Sequence, residues 1–189
     1  MADPVLHLLA GPNGSGKTTL ARRVIVPATH LPFINADDIA AQRWPGAELE
    51  HAYEASEAAA AERARRLAER SSFITETVFS HPSKVALVQS AQQAGYLVAL
   101  HVVVIPEELS VRRVAHRVGL GGHAVPEAKI RERYQRLWPL VAQARELADL
   151  TYVYDNSIAA RPHRLMASYE SGRLLGTPAW APWTPRELL

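Results

Sequence analysis

Eight residues near the amino terminus, Gly11 to Thr18 (GPNGSGKT), restrict what this chain can fold into more than any other part of it. They fit the pattern G-x-x-x-x-G-K-[ST] in full, after the apolar run Val5 to Ala10 and before Thr18 to Val26, which has the character of a helix. A glycine-rich turn joining a strand buried on both faces to a helix belongs to a parallel sheet with helices on both sides. Successive backbone N–H groups of such a turn, with the positive end of the following helix, cradle a chain of phosphates. Gly11, Gly14 and Gly16 allow the close backbone approach this needs, and Pro12, Asn13 and Ser15 complete the loop. Lys17 is expected to carry a positive charge to the β and γ phosphates of ATP. The Thr18 hydroxyl is expected to hold Mg2+, with Thr19 among the nucleotide contacts.

The rest of the chain keeps alternating. Leu31 to Ile34 is a second strand candidate, followed by the polar cluster Asn35-Ala36-Asp37-Asp38 where a helix would begin. Glu48 to Arg70, rich in Ala, Glu and Arg, has helix propensity throughout, and Phe73 to Thr77 is a third strand. Ser83 to Ala94 is an amphipathic helix stopped at Gly95, before the β-branched run Tyr96 to Ile105, the expected central strand. Pro106 to Val118 and Pro126 to Leu147 predict two helices, and Thr151 to Tyr154 the last core strand. These elements predict an α/β P-loop NTPase fold: a parallel five-stranded sheet, helices on both faces, and Val118 to Pro126 as a lid. Residues 1–189 are expected to form a single P-loop kinase domain, its core about 4–157. In the C-terminal extension 158–189, Leu165 to Tyr169 and Arg173 to Leu175 predict a hairpin around Ser171-Gly172.

Composition narrows the partners. The net charge of +2 is too small to imply nucleic-acid binding, and no stretch approaches the roughly 18 apolar residues of a membrane span. Met1-Ala2-Asp3-Pro4 is acidic where a signal peptide is basic, so a cytoplasmic location is expected. With no cysteine, disulfides and thiolate metal sites are excluded.

Phosphoryl transfer asks the protein for positioning and charge, so the acids and arginines at the expected strand ends and lid are the candidates. Of Asp37 and Asp38, one is suited to accept the proton of an acceptor hydroxyl and the other to cap the next helix. Glu76 ends an apolar strand, where it orients magnesium or its waters or else binds substrate. Arg113 and Arg117, one helical turn apart, both point the same way and neutralise charge on the transferred group, while Arg112, Arg131, Arg133 and Arg136 flank them. Arg63, Arg65, Arg66 and Arg70, interleaved with Glu62 and Glu69, read as a solvated helix face. His123 has no partner at metal spacing, and Trp180 and Trp183 read as packing residues.

Taken together, GPNGSGKTT, FINADDIA (33–40), ITET (74–77), RRVAHRVGLGGHAVPEAKIRERY (112–134) and YDNS (154–157) resemble the zeta-toxin-like P-loop kinases over most of residues 5–157. The resemblance implies an ATP-dependent kinase with Asp37 as general base, Lys17 and Thr18 on phosphates and magnesium, and Arg113 and Arg117 as lid arginines. It places Glu76, with Thr77, at the substrate side. The implied small-molecule hydroxyl acceptor is UDP-N-acetylglucosamine, and the implied protein partner an antitoxin. The toxins carry an acid-Gly-Thr-Gly-Arg type segment for the sugar nucleotide, whereas Glu76-Thr77-Val78-Phe79-Ser80 here has no arginine at the matching place. The residues alone equally suit a nucleoside, nucleotide or polynucleotide kinase, or a regulatory binder that uses ATP without an acceptor.

Overall fold

The computed structural model describes residues 3–119 and 125–189. The first half runs β1 (Val5–Ala10), α1 (Lys17–Leu20), a π-helical turn Ala21–Ile25, α2 (Val26–Thr29), β2 (Phe33–Ile34), α3 (Ala36–Arg43), α4 (Ala52–Ala68) and β3 (Phe73–Thr77). Then come α5 (Ser83–Gln93), β4 (Leu97–Val104), α6 (Glu107–Gly119), α7 (Glu127–Leu147), β5 (Leu150–Asp155), β6 (Arg164–Glu170), β7 (Arg173–Leu175) and a 3-10 turn Arg186–Leu188. The lid expected from Val118 to Pro126, with His123, falls largely on residues 120–124, outside the described residues. Among the described residues no helix is long and apolar enough to cross a membrane.

The sheet order is β2-β3-β1-β4-β5-β6-β7. The first five strands in that order are parallel, and β6 and β7 extend the sheet antiparallel. This is the expected α/β P-loop architecture with one correction: seven strands, not five. The tail hairpin does form, and it pairs along β5, whose outer N–H and C=O groups would otherwise be an open edge.

Period-two alternation assigns the two faces. Leu6, Leu8 and Ala10 of β1, with Leu100, Val102 and Val104 of β4, join one cluster with Val85, Val88 and Ala91 of α5 and Leu137, Trp138 and Val141 of α7. Leu9, Ile74 and Val103 point the other way, onto Leu20, Ala21 and Ile25. Phe73 and Phe79 have no exposed surface, and burying such a side chain stabilises by about 1.5–3 kcal/mol.

The first helix is longer than predicted, continuous from Lys17 to Thr29. Pro27 lacks the N–H that would bond to Arg23, and the widened π turn directly before it accommodates that loss. His30, at φ 56°, ends the helix in a left-handed conformation. Because all five core strands are parallel, their carboxyl ends share one edge. There β1 delivers the glycine loop, β2 Asn35 and Asp37, β3 Glu76, and β5 Asn156.

Candidate functional site: a braced phosphate loop and a charged cavity

The glycine loop is held in shape from outside. Gly11 (φ 149°) passes so close to β4 that a Cβ would lie 2.3 Å from the Val103 carbonyl oxygen. Gly16 (φ 94°) opens α1, and a Cβ there would lie 2.3 Å from Asn156 Nδ2. That amide donates to the Ser15 carbonyl at 2.7 Å, and Ser110 Oγ of α6 donates to the Asn13 carbonyl at 2.6 Å. The Arg113 guanidinium donates to Gly14 O at 3.3 Å and to Asn156 O at 3.0 Å, and His163 Nε2 lies 3.1 Å from Gly16 O. These bonds remove much of the ordering cost that a flexible glycine loop would meet on binding an anion.

Lys17 is buried, its ammonium donating to Gly11 O and Pro12 O, each at 2.9 Å. Burial pushes its pKa down; Glu76 and Asp37 oppose that shift and Arg117 adds to it. Ser15 Oγ and Asn13 Oδ1, in the same loop, are buried side-chain atoms with no partner among the described residues. Buried polar atoms left in this way ask for an external partner.

Glu76 accepts at Oε1 from Thr18 Oγ1 (2.9 Å) and from Asn35 Nδ2 (3.1 Å), while Oε2 is buried without a partner among the described residues. Burial raises its pKa, against the pull of the Lys17 charge and the Thr18 hydrogen bond. A hydroxyl and a carboxylate with a spare oxygen are hard oxygen donors. They fit a magnesium ion that takes its other ligands from phosphate and water. Asn35, not either aspartate, caps α3, its Oδ1 accepting from the Asp37 N–H at 2.8 Å. The capping role expected of Asp37 or Asp38 is thereby corrected: both lie inside the helix, and Asn35 directly before its first residue already fills that role. Asp38 pairs with Arg22 outside the cavity, and Asp37 is left facing the cavity.

That cavity, of about 800 Å³, is lined by Gly14, Gly16, Lys17, Thr18, Thr19, Asp37, Glu76, Thr77, Arg113 and Arg117, all singled out from sequence. Gly11, Pro12 and Ser15 act from behind it, through the carbonyls that hold Lys17 and Asn156. Arg131 is spent on Glu107, Glu108 and Glu127, and Arg136 on Glu132. Sequence reasoning missed the bracing residues Ser110, Asn156 and His163. It also missed the lining cations Lys84 and Lys129 and read Arg63 as solvated, while Arg133, expected to flank the α6 arginines, joins them in the lining. Arg63 did carry a signal: residues 59, 60, 66 and 67 around it include no acid to pair with, unlike Arg65 beside it.

A sequence profile described as an AAA domain matches residues 6–140, from β1 into α7. Among curated proteins no sequence matches the chain. A protein of Chloroflexus aurantiacus described as a candidate kinase is 19% identical, with a TM-score of 0.67 over 85% of this chain and 92% of that one. A chain of the AvrRxo1-ORF1:AvrRxo1-ORF2 complex with sulphate ions is 16% identical, with a TM-score of 0.72 over 92% of this chain; only 61% of that longer chain is spanned. The PezAT chromosomal toxin–antitoxin system of Streptococcus pneumoniae contains a chain 17% identical, with a TM-score of 0.65 over 82% of this chain and 68% of that one. At such identities the likeness is one of fold. The profile match covers well over half of the sequence, including the glycine loop, Asp37, Glu76 and the α6 arginines, and the chain belongs to the AAA domain family it describes, AAA_33.

Proposed function

We propose that this protein is an ATP-dependent phosphotransferase that moves the γ-phosphoryl group of ATP to a hydroxyl of a small acceptor. One observation carries the reading: the Asp37 carboxylate faces the same cavity as Lys17 and Thr18 of the phosphate loop. Asp37 takes the proton of the acceptor hydroxyl as its oxygen bonds to the γ-phosphorus and the bond to ADP breaks. Lys17, Arg113 and Arg117 supply positive charge where the phosphoryl oxygens gather negative charge. Thr18 and Glu76 would hold a magnesium ion, which would supply neutralising charge to phosphate oxygens. The Thr18–Glu76 hydrogen bond favours the metal side as the place where Glu76 acts.

The resemblance to the zeta-toxin-like kinases favours a sugar nucleotide such as UDP-N-acetylglucosamine as acceptor, and an antitoxin as partner. The fold likeness to a chain of a toxin–antitoxin system supports the antitoxin partner. A kinase drawing on cellular ATP belongs in the cytoplasm. With γ-labelled ATP, magnesium and a bacterial metabolite extract, the protein should pass label to one compound, identifiable by mass. Asp37→Ala should slow that transfer by about 10²–10⁴-fold, the usual worth of a general base, with nucleotide affinity preserved. Transfer at the full rate by the Asp37→Ala protein would overturn the assignment.

A further inference from the structure

Four cations lining the cavity have no use in the scheme above: Lys129 of α7, which is exposed, and three that are half-buried. Arg63 of α4, Lys84 of α5 and Arg133 of α7 all line it, each half-buried, each from a different helix. Their neighbours on the same helices are spent on carboxylates: Arg65 and Arg66 on Glu62 and Glu69, Arg131 on Glu107, Glu108 and Glu127, and Arg136 on Glu132. Arg63, Lys84 and Arg133 differ in sequence as well as in place. None has an aspartate or glutamate three or four positions away on its own helix, and none forms an ion pair with a carboxylate among the described residues.

None of the three belongs to the phosphate loop, and none is among the charges that act on Lys17. The charges that act on Lys17 are those of Glu76, Asp37 and Arg117, whereas Lys84 is acted on by Arg63. Burial pushes the pKa of all three cations down, and Arg63 pushes Lys84 further the same way. Glu132 offsets part of the cost at Arg133, whereas Arg63 and Lys84 repel each other, and half-buried cations from three helices lining one cavity are offset by an anion lodged among them. Two planar guanidiniums and an ammonium, carried by three helices, suit the several oxygens of a phosphate or carboxylate.

We propose that Arg63, Lys84 and Arg133 form an oxyanion subsite for the acceptor, so that the hydroxyl compound phosphorylated here itself bears a phosphate or carboxylate group. The word acceptor rests on the kinase reading; the anion site does not. The cluster, on the α4, α5 and α7 side, holds the acceptor's anionic end, and Asp37 meets its hydroxyl. Neutral alcohols lacking such a group are excluded because they leave three cations unpaired.

The test is a titration of protein saturated with magnesium and a non-hydrolysable ATP analogue, which fills the phosphate loop. Inorganic phosphate and acetate are the two probes. A second anion site is expected, weakened about tenfold or more in Arg63→Gln/Lys84→Gln and in Arg133→Gln, with analogue affinity unchanged. The charge-preserving Arg63→Lys protein should keep most of the binding. Stronger binding of phosphate points to a phosphorylated acceptor and stronger binding of acetate to a carboxylic one, and either supports the subsite. No second site in the wild type, or equal phosphate affinity in the glutamine variants, overturns it. Failure of the analogue to bind would count against the kinase reading alone, because the Lys17→Ala protein, its phosphate loop disabled, reports the same anion site by the same substitutions.

Discussion

Gly16 does two things that no other residue type does without strain. It holds φ at 94°, and it leaves room for Asn156 Nδ2 to reach the Ser15 carbonyl. Gly16→Ala is therefore expected to lower stability by about 1–3 kcal/mol, the ordinary cost of a strained backbone site, and to weaken nucleotide binding as Asn156 is pushed from the loop. Thermal unfolding and titration with a magnesium-bound ATP analogue measure the two effects. A variant with unchanged unfolding temperature and affinity would show that the loop does not depend on this brace. The contrast between the loop and its braces also explains what was legible. Lys17 and Thr18 could be read because their chemistry follows from eight consecutive residues. Asn156 and Ser110 reach the same loop across 141 and 97 positions, so only the assembled sheet reveals them.

On the scale of single elements, the sequence was most informative where a helix meets only itself and water. Glu62, Arg65 and Glu69 form the i, i+3 and i, i+4 ladder expected of α4, and solvent screens such exposed pairs so that they contribute little. Arg63 was read with them and belongs elsewhere, because which side of a helix meets a cavity depends on α5 and α7, which come later in the chain. Strand β3 matched its expected bounds for the converse reason: its run Phe-Ile-Thr starts directly after polar Ser71-Ser72 and ends in the polar pair Glu76-Thr77. Helix α7 runs through Pro139 without ending, although this residue removes a bond to Gln135 and crowds its carbonyl. Pro139 is exposed, so replacing it disturbs no packing. Pro139→Ala is expected to raise stability by up to about 3 kcal/mol, reduced by the added freedom of the unfolded chain. Urea unfolding of the two proteins gives the difference directly. A loss of stability would mean that the helix is shaped around its proline.

Across the whole molecule, the departure from expectation lies at the carboxyl-terminal side. The hairpin was readable as a hairpin, but its place beside β5 was not. Register between β5 and β6 is set by long-range pairing that passes a bulge at Val153 and Tyr154. Past the hairpin the tail returns to the core: Trp180 and Trp183 pack against it, and Arg145 lies over the Tyr169 ring and donates to the Leu188 carbonyl. The opposite face of the sheet carries a row that crosses three strands, His7 of β1, His101 of β4, and Tyr152 and Tyr154 of β5, with His101 stacked on the other three rings. His7 Nδ1 lies 3.1 Å from His101 Nε2, a contact that accommodates one shared proton and is broken by a second. Burial, with a smaller contribution from His7, pushes the His101 pKa down from 6.5 to about 3. A histidine whose pKa is depressed on folding gives stability that is complete above pH 6.5 and lost as pH falls toward 3, because the unfolded chain takes up the proton first. At about 1.4 kcal/mol per pH decade, the loss across that window is on the order of 4 kcal/mol. His101→Phe keeps an aromatic ring in the stack and removes the titration, so its stability should change much less between pH 6.5 and 3. Chemical unfolding at intervals across that range compares the two profiles, and parallel acid losses in wild type and variant would show that the carboxylates, not this sheet-spanning pair, govern how the molecule yields to acid.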